Sequence, residues 1–328
     1  MIKHGKGMAS MIYPIGFTSY PNPSAAFVEV NGDGTATVLT GACDVGQGST
    51  TVLAQIAAEE LGIEFDAVTM VTADTERTPY DLGTCASRVT YIVGNAVQRA
   101  AAEAKEILLE VAAEMLEVGK EGLTVGGSRV YLSGFPERGV SIKEVATRSL
   151  RKGRLPVGSG TFNPETTFLD PETGHGKPYG AYVFATQIAE VAVDTDTGEV
   201  EVLRIVAAHD CGRAINPMLV EGQVEGGISM GVGYALFEEM VSSPRGVENP
   251  QFTDYVLPTA LDMPRVEVAI VEDSEPTGPF GAKGVGEPTM LPTAAAIINA
   301  IYDAVGVRIR DLPATPEKVL AALEAEGA

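Results

Sequence analysis

One succession of segments occurs twice and constrains the fold more than any other feature. AFVEV (26–30) and TATVLT (35–40) flank Asn31-Gly32-Asp33-Gly34, and the loop GACDVGQG leads into TTVLAQIAAEELG. Gly and Asn/Asp tolerate the positive φ of a tight turn, so the first two segments predict a hairpin. The third predicts an amphipathic helix ending near Gly62. The same order returns at YVFATQIAEVAVDTDTGEVEVLRIVAAHD (182–210), a longer hairpin turning at Asp194–Gly198. DCGRAINP and a Gly-rich helix, GQVEGGISMGVGYALFEE, follow it. Gly46-Gln47 precedes the first helix and Gly222-Gln223 starts the second, which implies two similar units facing one ligand.

The remaining segments complete an α+β reading, with long β-hairpins and packed helices and no βαβ alternation. AVTMVTAD (67–74) and RVEVAIVED (265–273) predict strands. Residues 93–118, 291–306 and 315–327 predict helices, the last opened by Thr315 as N-cap and Pro316 at the first position. ERTPYDLGTCASRVT (76–90) is rich in turn residues and reads as loop. Residues 121–178 carry little pattern and read as a joining segment with short helices, in which RSLRKGRLP (148–156) is a solvated loop. The expected organisation is a single region, 1–328, with lobes of roughly 1–120 and 179–328.

Composition narrows the function. A net charge of −21 argues against binding nucleic acid, whose phosphates need Lys and Arg. Cys43, Cys85 and Cys211 are odd in number and far apart, so a disulfide framework, a structural zinc site and an iron–sulfur cluster held by this chain alone are not expected. MIKHGKGMASMIYPIGF has no apolar run long enough for a signal peptide or membrane span, and a cytoplasmic location is expected by default.

Three stretches could carry chemistry. At the Gly-Gln sites, glycine permits close backbone approach, the amide of Gln offers donor and acceptor, and a helix start adds N–H groups. GQG is equally an ordinary turn. In DLGTCASRVT, the hydroxyls of Thr84 and Ser87 and the fork of Arg88 suit a pyrophosphate; a polar surface loop with Arg88 in a local salt bridge fits as well. In GPFGAKGVGEPTMLPT, Glu287 stands before Pro288, which is expected to keep it out of the α region. A glycine-rich loop could present that carboxylate to a dry site as a proton acceptor, or leave it in solvent.

Their joint order is specific. GQGSTTVLAQIAAEELGI, DTERTPYDLGTCASRVTYIVGNAV, HDCGRAINPMLVEGQVEGGISMGVGYALFEE and GAKGVGEPTMLPTAAAIINAI follow one another over nearly the whole chain. The series resembles the molybdopterin-binding subunit of the xanthine dehydrogenase/aldehyde oxidase family, and only its C-terminal half. That implies a split subunit, with a second molybdopterin chain carrying the other half of the site. The arrangement resembles the medium molybdopterin subunit of the nicotinate dehydrogenases of anaerobic bacteria.

The resemblance implies roles for particular residues. Gly46, Gln47 and Gly48 would contact the pterin. Thr84, Cys85, Ala86, Ser87 and Arg88 would bind the phosphates or nucleotide, and Gln223 would also touch the cofactor. Molybdenum would be held by the pterin dithiolene with no protein ligand. The expected cofactor is the molybdopterin cytosine dinucleotide form with a terminal sulfido or selenido ligand. FAD and [2Fe-2S] clusters would sit on partner subunits, in a dimer of heterotetramers. Glu287 would be the general base toward a metal-bound hydroxide that attacks an electron-poor carbon of an N-heterocycle, with nicotinate the leading substrate. A purine or xanthine hydroxylase, an aldehyde or carbon monoxide dehydrogenase, and a non-catalytic cofactor-assembly protein are the alternatives. In the family the N-terminal stretch of this half lines the substrate site, which makes Tyr13, Phe17 and Thr18 candidates; plain core aromatics are the other reading.

Overall fold

The computed structural model describes residues 1–17 and 21–326. They form two compact units. An N-terminal unit holds Pro14–Ala181 and Ser274–Gly284; a C-terminal unit holds Met1–Tyr13, Tyr182–Asp273 and Val285–Ala328. Strand β1 (Ile2–Pro14) therefore leaves the N-terminal unit and joins the other.

In the N-terminal unit, β2 (Ser24–Val30) and β3 (Ala36–Thr40) form the expected hairpin, pairing Ala26 with Thr40, Val28 with Val38 and Val30 with Ala36. Ala26, Val28 and Val30 are buried and Phe27 is exposed, the alternation of a sheet with one covered face. Helix α1 (Ser49–Leu61) crosses over to β4 (Val68–Thr72), which runs parallel to β3. Gly62 ends α1 in the left-handed conformation, as expected. Helix α2 (Gly94–Leu116) follows one π-type turn at Val89–Val93.

The segment 121–178 is more regular than its sequence indicates, and belongs within this unit instead of joining two lobes. Strands β5 (Leu123–Gly126), β6 (Arg129–Leu132) and β7 (Phe135–Ser141) form an antiparallel sheet. Helix α3 (Ile142–Arg151) starts at a reciprocal cap between Ser141 and Glu144. The basic run is split: Arg148 and Arg151 lie in the last turn of α3, where cations suit the helix dipole. Arg154 pairs with Glu110 and Glu114 of α2. These strands are short and mostly half-buried or exposed, so no apolar alternation marks them. Strand β8 (Val157–Phe162) then completes the sheet order β4-β3-β2-β8.

The C-terminal unit repeats the plan. Strands β9 (Tyr182–Asp194) and β10 (Val200–Asp210) form the long hairpin. Helix α4 (Pro217–Leu236) follows, then a two-residue-strand hairpin, β11 (Ser242–Ser243) with β12 (Gly246–Val247). Strand β13 (Arg265–Val271) lies parallel to β10. Helices α5 (Leu291–Val305) and α6 (Pro316–Glu326) close the unit, and the sheet order is β1-β9-β10-β13. Its core gathers Val191, Val193 and Ile205 of the sheet with Ile228 and Val232 of α4 and Ile297 and Ile301 of α5.

The repeat extends beyond the hairpin and the Gly-Gln helix. Each sheet has a fourth, parallel strand beyond the helix and an outer strand that brings glycines against an Ala-rich helix. In β8, a Cβ on Gly158 or Gly160 would collide with the carbonyl oxygens of Ala100 or Ala96 in α2. In β1, a Cβ on Gly5 or Gly7 would strike the backbone of α5 at Ala300 and Ala296. Strand β1 was not expected, because its Gly and Lys residues break any apolar alternation; it stands at the sheet's outer edge, where that is tolerated.

Because the helix backbone lies directly on the strand, it has little room to retreat. Gly160→Val should lower the stability of the chain by about 1–3 kcal/mol or more through overpacking. Thermal unfolding of this variant should show the loss, whereas Val157→Thr on the same strand should unfold near wild type.

Candidate functional site

In the N-terminal unit the fold brings two of the candidate loops together. The backbone carbonyl of Cys43 accepts hydrogen bonds from the side chains of both Gln47 (Nε2, 3.1 Å) and Thr84. One acceptor thus joins the Gly-Gln-Gly loop to the Thr-Cys-Ala-Ser loop. Gly16 donates its N–H to the carbonyl of Ala86 at 2.9 Å, which sets the chain just before Phe17 against the same loop. The GAKG segment packs there too: a Cβ on Gly284 would collide with the carbonyl oxygen of Ser87.

The polar side chains of these loops are engaged largely within the protein. Gln47 also donates to Ser49 Oγ at 3.0 Å, and its Oε1 accepts from the N–H of Val45 at 2.6 Å. Asp44, which the sequence reading passed over, supplies the anion at the start of α1. Its carboxylate accepts from the N–H groups of Gly46 (2.9 Å), Gly48 (3.3 Å) and Thr50 (2.9 Å). Burial pushes the Asp44 carboxyl up, but these N–H donors outweigh it and hold the group below the usual range. An Asp two residues before Gly46 is the sequence signal, since Asp side chains bond the backbone just ahead of them. The backbone at Gly46 stays open: φ is 108° and nothing stands within 4 Å of where a Cβ would be.

Arg88 departs from its expected role. Its side chain is fully buried and bonded on all sides. The nitrogen Nη1 donates to Asp81 at 2.7 and 2.9 Å and to the carbonyl of Gly83 at 3.1 Å; Nε donates to Asn22 at 2.7 Å and Nη2 to the carbonyl of Pro23 at 3.0 Å. Arg88 is the internal brace of the loop, as the local salt-bridge alternative has it, and not a free fork for phosphate. The brace holds the backbone of Ala86 and Ser87 at φ of 48° and 51°, a conformation uncommon outside glycine. Thr84, Cys85, Ala86 and Ser87 themselves remain half-buried.

The C-terminal unit carries Gln223 and Glu287. Asn216 caps α4 and Pro217 is its first residue, so Gly222-Gln223 sits in the second turn and not at the start. Gln223 is half-buried. Glu287 is exposed and opens a single 3₁₀ turn, Glu287–Thr289. The expected exclusion from helical geometry by Pro288 is overridden, because the N–H groups of Thr289 and Met290 close i→i+3 bonds onto Gly286 and Glu287. Beneath Glu287 the turn is anchored: Pro288 and Thr289 are buried, and Thr289 Oγ1 donates to the carbonyl of Gly286 at 2.8 Å. Tyr13 is half-buried at the end of β1, Phe17 is 38% exposed, and Thr18 lies outside the described residues.

A family model for the molybdopterin cofactor-binding domain matches residues 1–264. The chain belongs to that family. It corresponds to the C-terminal part of larger molybdenum-binding subunits. The chain is 36% identical to the putative xanthine dehydrogenase molybdenum-binding subunit of Escherichia coli K12, over 97% of this chain and 42% of that protein. It is also 36% identical to the gamma subunit of the 6-hydroxypseudooxynicotine dehydrogenase complex of Paenarthrobacter nicotinovorans, over 89% of this chain and 36% of that protein. Quinoline 2-oxidoreductase of Pseudomonas putida 86 superposes with a TM-score of 0.89 at 28% identity, covering 98% of this chain and 42% of that one. The α+β architecture is thus that of the xanthine oxidase family's molybdenum-binding domains, and this chain spans about two-fifths of its first relatives. Among the described residues, no helix of this molybdopterin-binding chain is long and apolar enough to cross a membrane.

A buried polar cluster in the C-terminal unit carries no local sequence signal: Gln187 on β9, His209 on β10, and Thr289 and Thr293. Burial holds the imidazole of His209 down at about 4.

Two outcomes follow. Arg88→Met leaves Asp81 as an uncompensated buried charge and should cost about 3–5 kcal/mol in the cofactor-free protein, read by denaturant unfolding; a phosphate-binding Arg would instead leave cofactor-free stability unchanged. For His209, the unfolded chain takes up a proton near 6.5 while the folded one resists to about 4. Stability should therefore fall as pH drops through that interval, and His209→Asn should flatten the fall in unfolding measured against pH.

Proposed function

We propose that this chain is the C-terminal half of the molybdopterin-binding part of a multi-subunit molybdenum hydroxylase, with Glu287 as its proton acceptor. The observation that carries the reading is the family match together with the presentation of Glu287: an exposed carboxylate on a turn whose underside is buried. A general base needs a fixed position and an open face, and that arrangement supplies both.

The loops fit a large pterin cofactor through their backbone. Gly46 offers open main chain, and Gly48 and the Thr84–Ser87 loop lie beside it, tied through Cys43. In this reading Gly46, Gly48, Thr84, Cys85, Ala86 and Ser87 contact the cofactor, Gln47 and Arg88 brace those contacts, and Gln223 would be a further cofactor contact. The bound molybdenum cofactor, in its cytosine dinucleotide form with a sulfido or selenido ligand, supplies the two-electron sink. Overall a substrate C–H and water yield C–OH, two electrons and two protons. Glu287 takes up the proton released by water as its oxygen moves to carbon. Iron–sulfur and flavin groups on partner chains would accept those electrons.

The substrate we favour is an electron-poor N-heterocycle, nicotinate giving 6-hydroxynicotinate, in the cytoplasm. Relatives named for quinoline and for a nicotine derivative support a ring of that kind. A purine is the second reading, favoured by the likeness to a xanthine dehydrogenase subunit. The partner expected to carry the other half of the site has a surface to meet: on α4, Met218, Met230 and Tyr234 are exposed at four-residue steps with the open Gly222 and Gly226 between them.

In the complex purified through this chain, Glu287→Gln should keep molybdenum content near wild type and lower turnover at least about 10²-fold. Turnover close to wild type would remove Glu287 from the role. Rates with nicotinate against xanthine decide between the two substrates.

A further inference from the structure

The buried cluster behind Glu287 has a geometry that ordinary core packing does not require. Gln187 is fully buried on the central strand β9, an unusual place for an amide. Its orientation is set by its partners. The carbonyl of Thr289 can only accept, so Nε2 must face it, at 2.7 Å. The hydroxyl of Thr293 lies 2.7 Å from Oε1 and donates to it. The second amide hydrogen points to His209 Nε2 at 3.2 Å, which must then be the unprotonated nitrogen of a neutral ring. All of the amide's hydrogen-bonding groups are engaged, and two of its three partners belong to the segment that presents Glu287.

The same segment is held from another side by α4. A Cβ on Gly227 would collide with the hydroxyl of Thr289, and one on Gly231 with the side chain of Thr293. The 3₁₀ turn is thus pressed between a helix that meets it at two glycines and one amide reaching out of the sheet. Within the turn the Thr289 hydroxyl bonds the Gly286 carbonyl at 2.8 Å, while the two backbone bonds are long, at 3.3 Å for Thr289 to Gly286 and 3.2 Å for Met290 to Glu287.

We infer that Gln187 is a positioning residue for Glu287, fixing the Gly286–Thr289 turn by clamping the Thr289 carbonyl and the Thr293 hydroxyl. The inference rests on the proposed role of Glu287 for its catalytic consequence, but the clamp on the turn is independent of it. Without Gln187, the Thr289 carbonyl is a buried acceptor with no partner, and the turn gains freedom to shift and satisfy it. A base displaced by about 1 Å loses rate without losing substrate affinity.

The test uses the complex purified with this chain. Gln187→Met keeps the volume and removes the polar contacts, and Thr293→Val removes only one hydroxyl. Hydrogen exchange in peptides covering residues 286–290 should speed up in both, with β9 and β10 peptides unchanged. Gln187→Met should lower kcat about 10-fold with KM within about two-fold, and should add nothing further to Glu287→Gln. Unchanged exchange at 286–290, or a loss that multiplies with that of Glu287→Gln, would overturn the inference. If the Met variant does not accumulate, Thr293→Val carries the exchange test. Wild-type turnover in Glu287→Gln would remove the base and leave the clamp to be judged by exchange alone.

Discussion

Each unit depends on a helix laid directly on the outer strand of its sheet. Gly158 and Gly160 admit α2, and Gly5 and Gly7 admit α5, so that main chain meets main chain with no side chain between. Apolar area buried in this way is modest per residue, but the fit leaves no slack. The Ala-rich stretches of α2 and α5 are the complement of these glycines. The hairpins, the helices after them and the parallel fourth strands are arranged around that contact in the same order twice.

On this frame the loops of the candidate site are built to be rigid before any ligand arrives. Gln47 and Arg88 carry polar groups suited to a cofactor, yet their bonds go largely or wholly to the protein, and Asp44 already sits at the N-terminus of α1. The open surface lies at Gly46, where nothing stands within 4 Å of a Cβ position, beside the left-handed backbone of Ala86 and Ser87. A site of this kind recognises shape through fixed main chain, at little cost in side-chain ordering. Glu287 is exposed on a turn whose underside is tied into the core.

Part of this was legible in the residues themselves. Hairpins and helices showed because Asn-Gly and Asp-Gly turns, left-handed glycine stops and 3.6-residue periodicity are local signals. The Gly-Gln sites, the Thr-Cys-Ala-Ser loop and Glu287 showed through their order, which carried the family. The strands between 123 and 162 did not show, because they are short and bury few apolar side chains, and β1 did not show because glycine and lysine break its pattern.

The sequence by itself determined the α+β class, the twofold recurrence and the family, all of which rest on neighbours in the chain. Tertiary structure alone decided that Met1–Tyr13 belongs with residues 182–273, and that Arg88 braces a loop against Asp81, Asn22 and Pro23. It alone brought Gln187 under the turn of Glu287, a hundred residues away in the chain. The physical reason is the same in each case. Whether a polar group faces a ligand or another part of the protein depends on which buried partners reach it, and those partners are set by packing between distant segments.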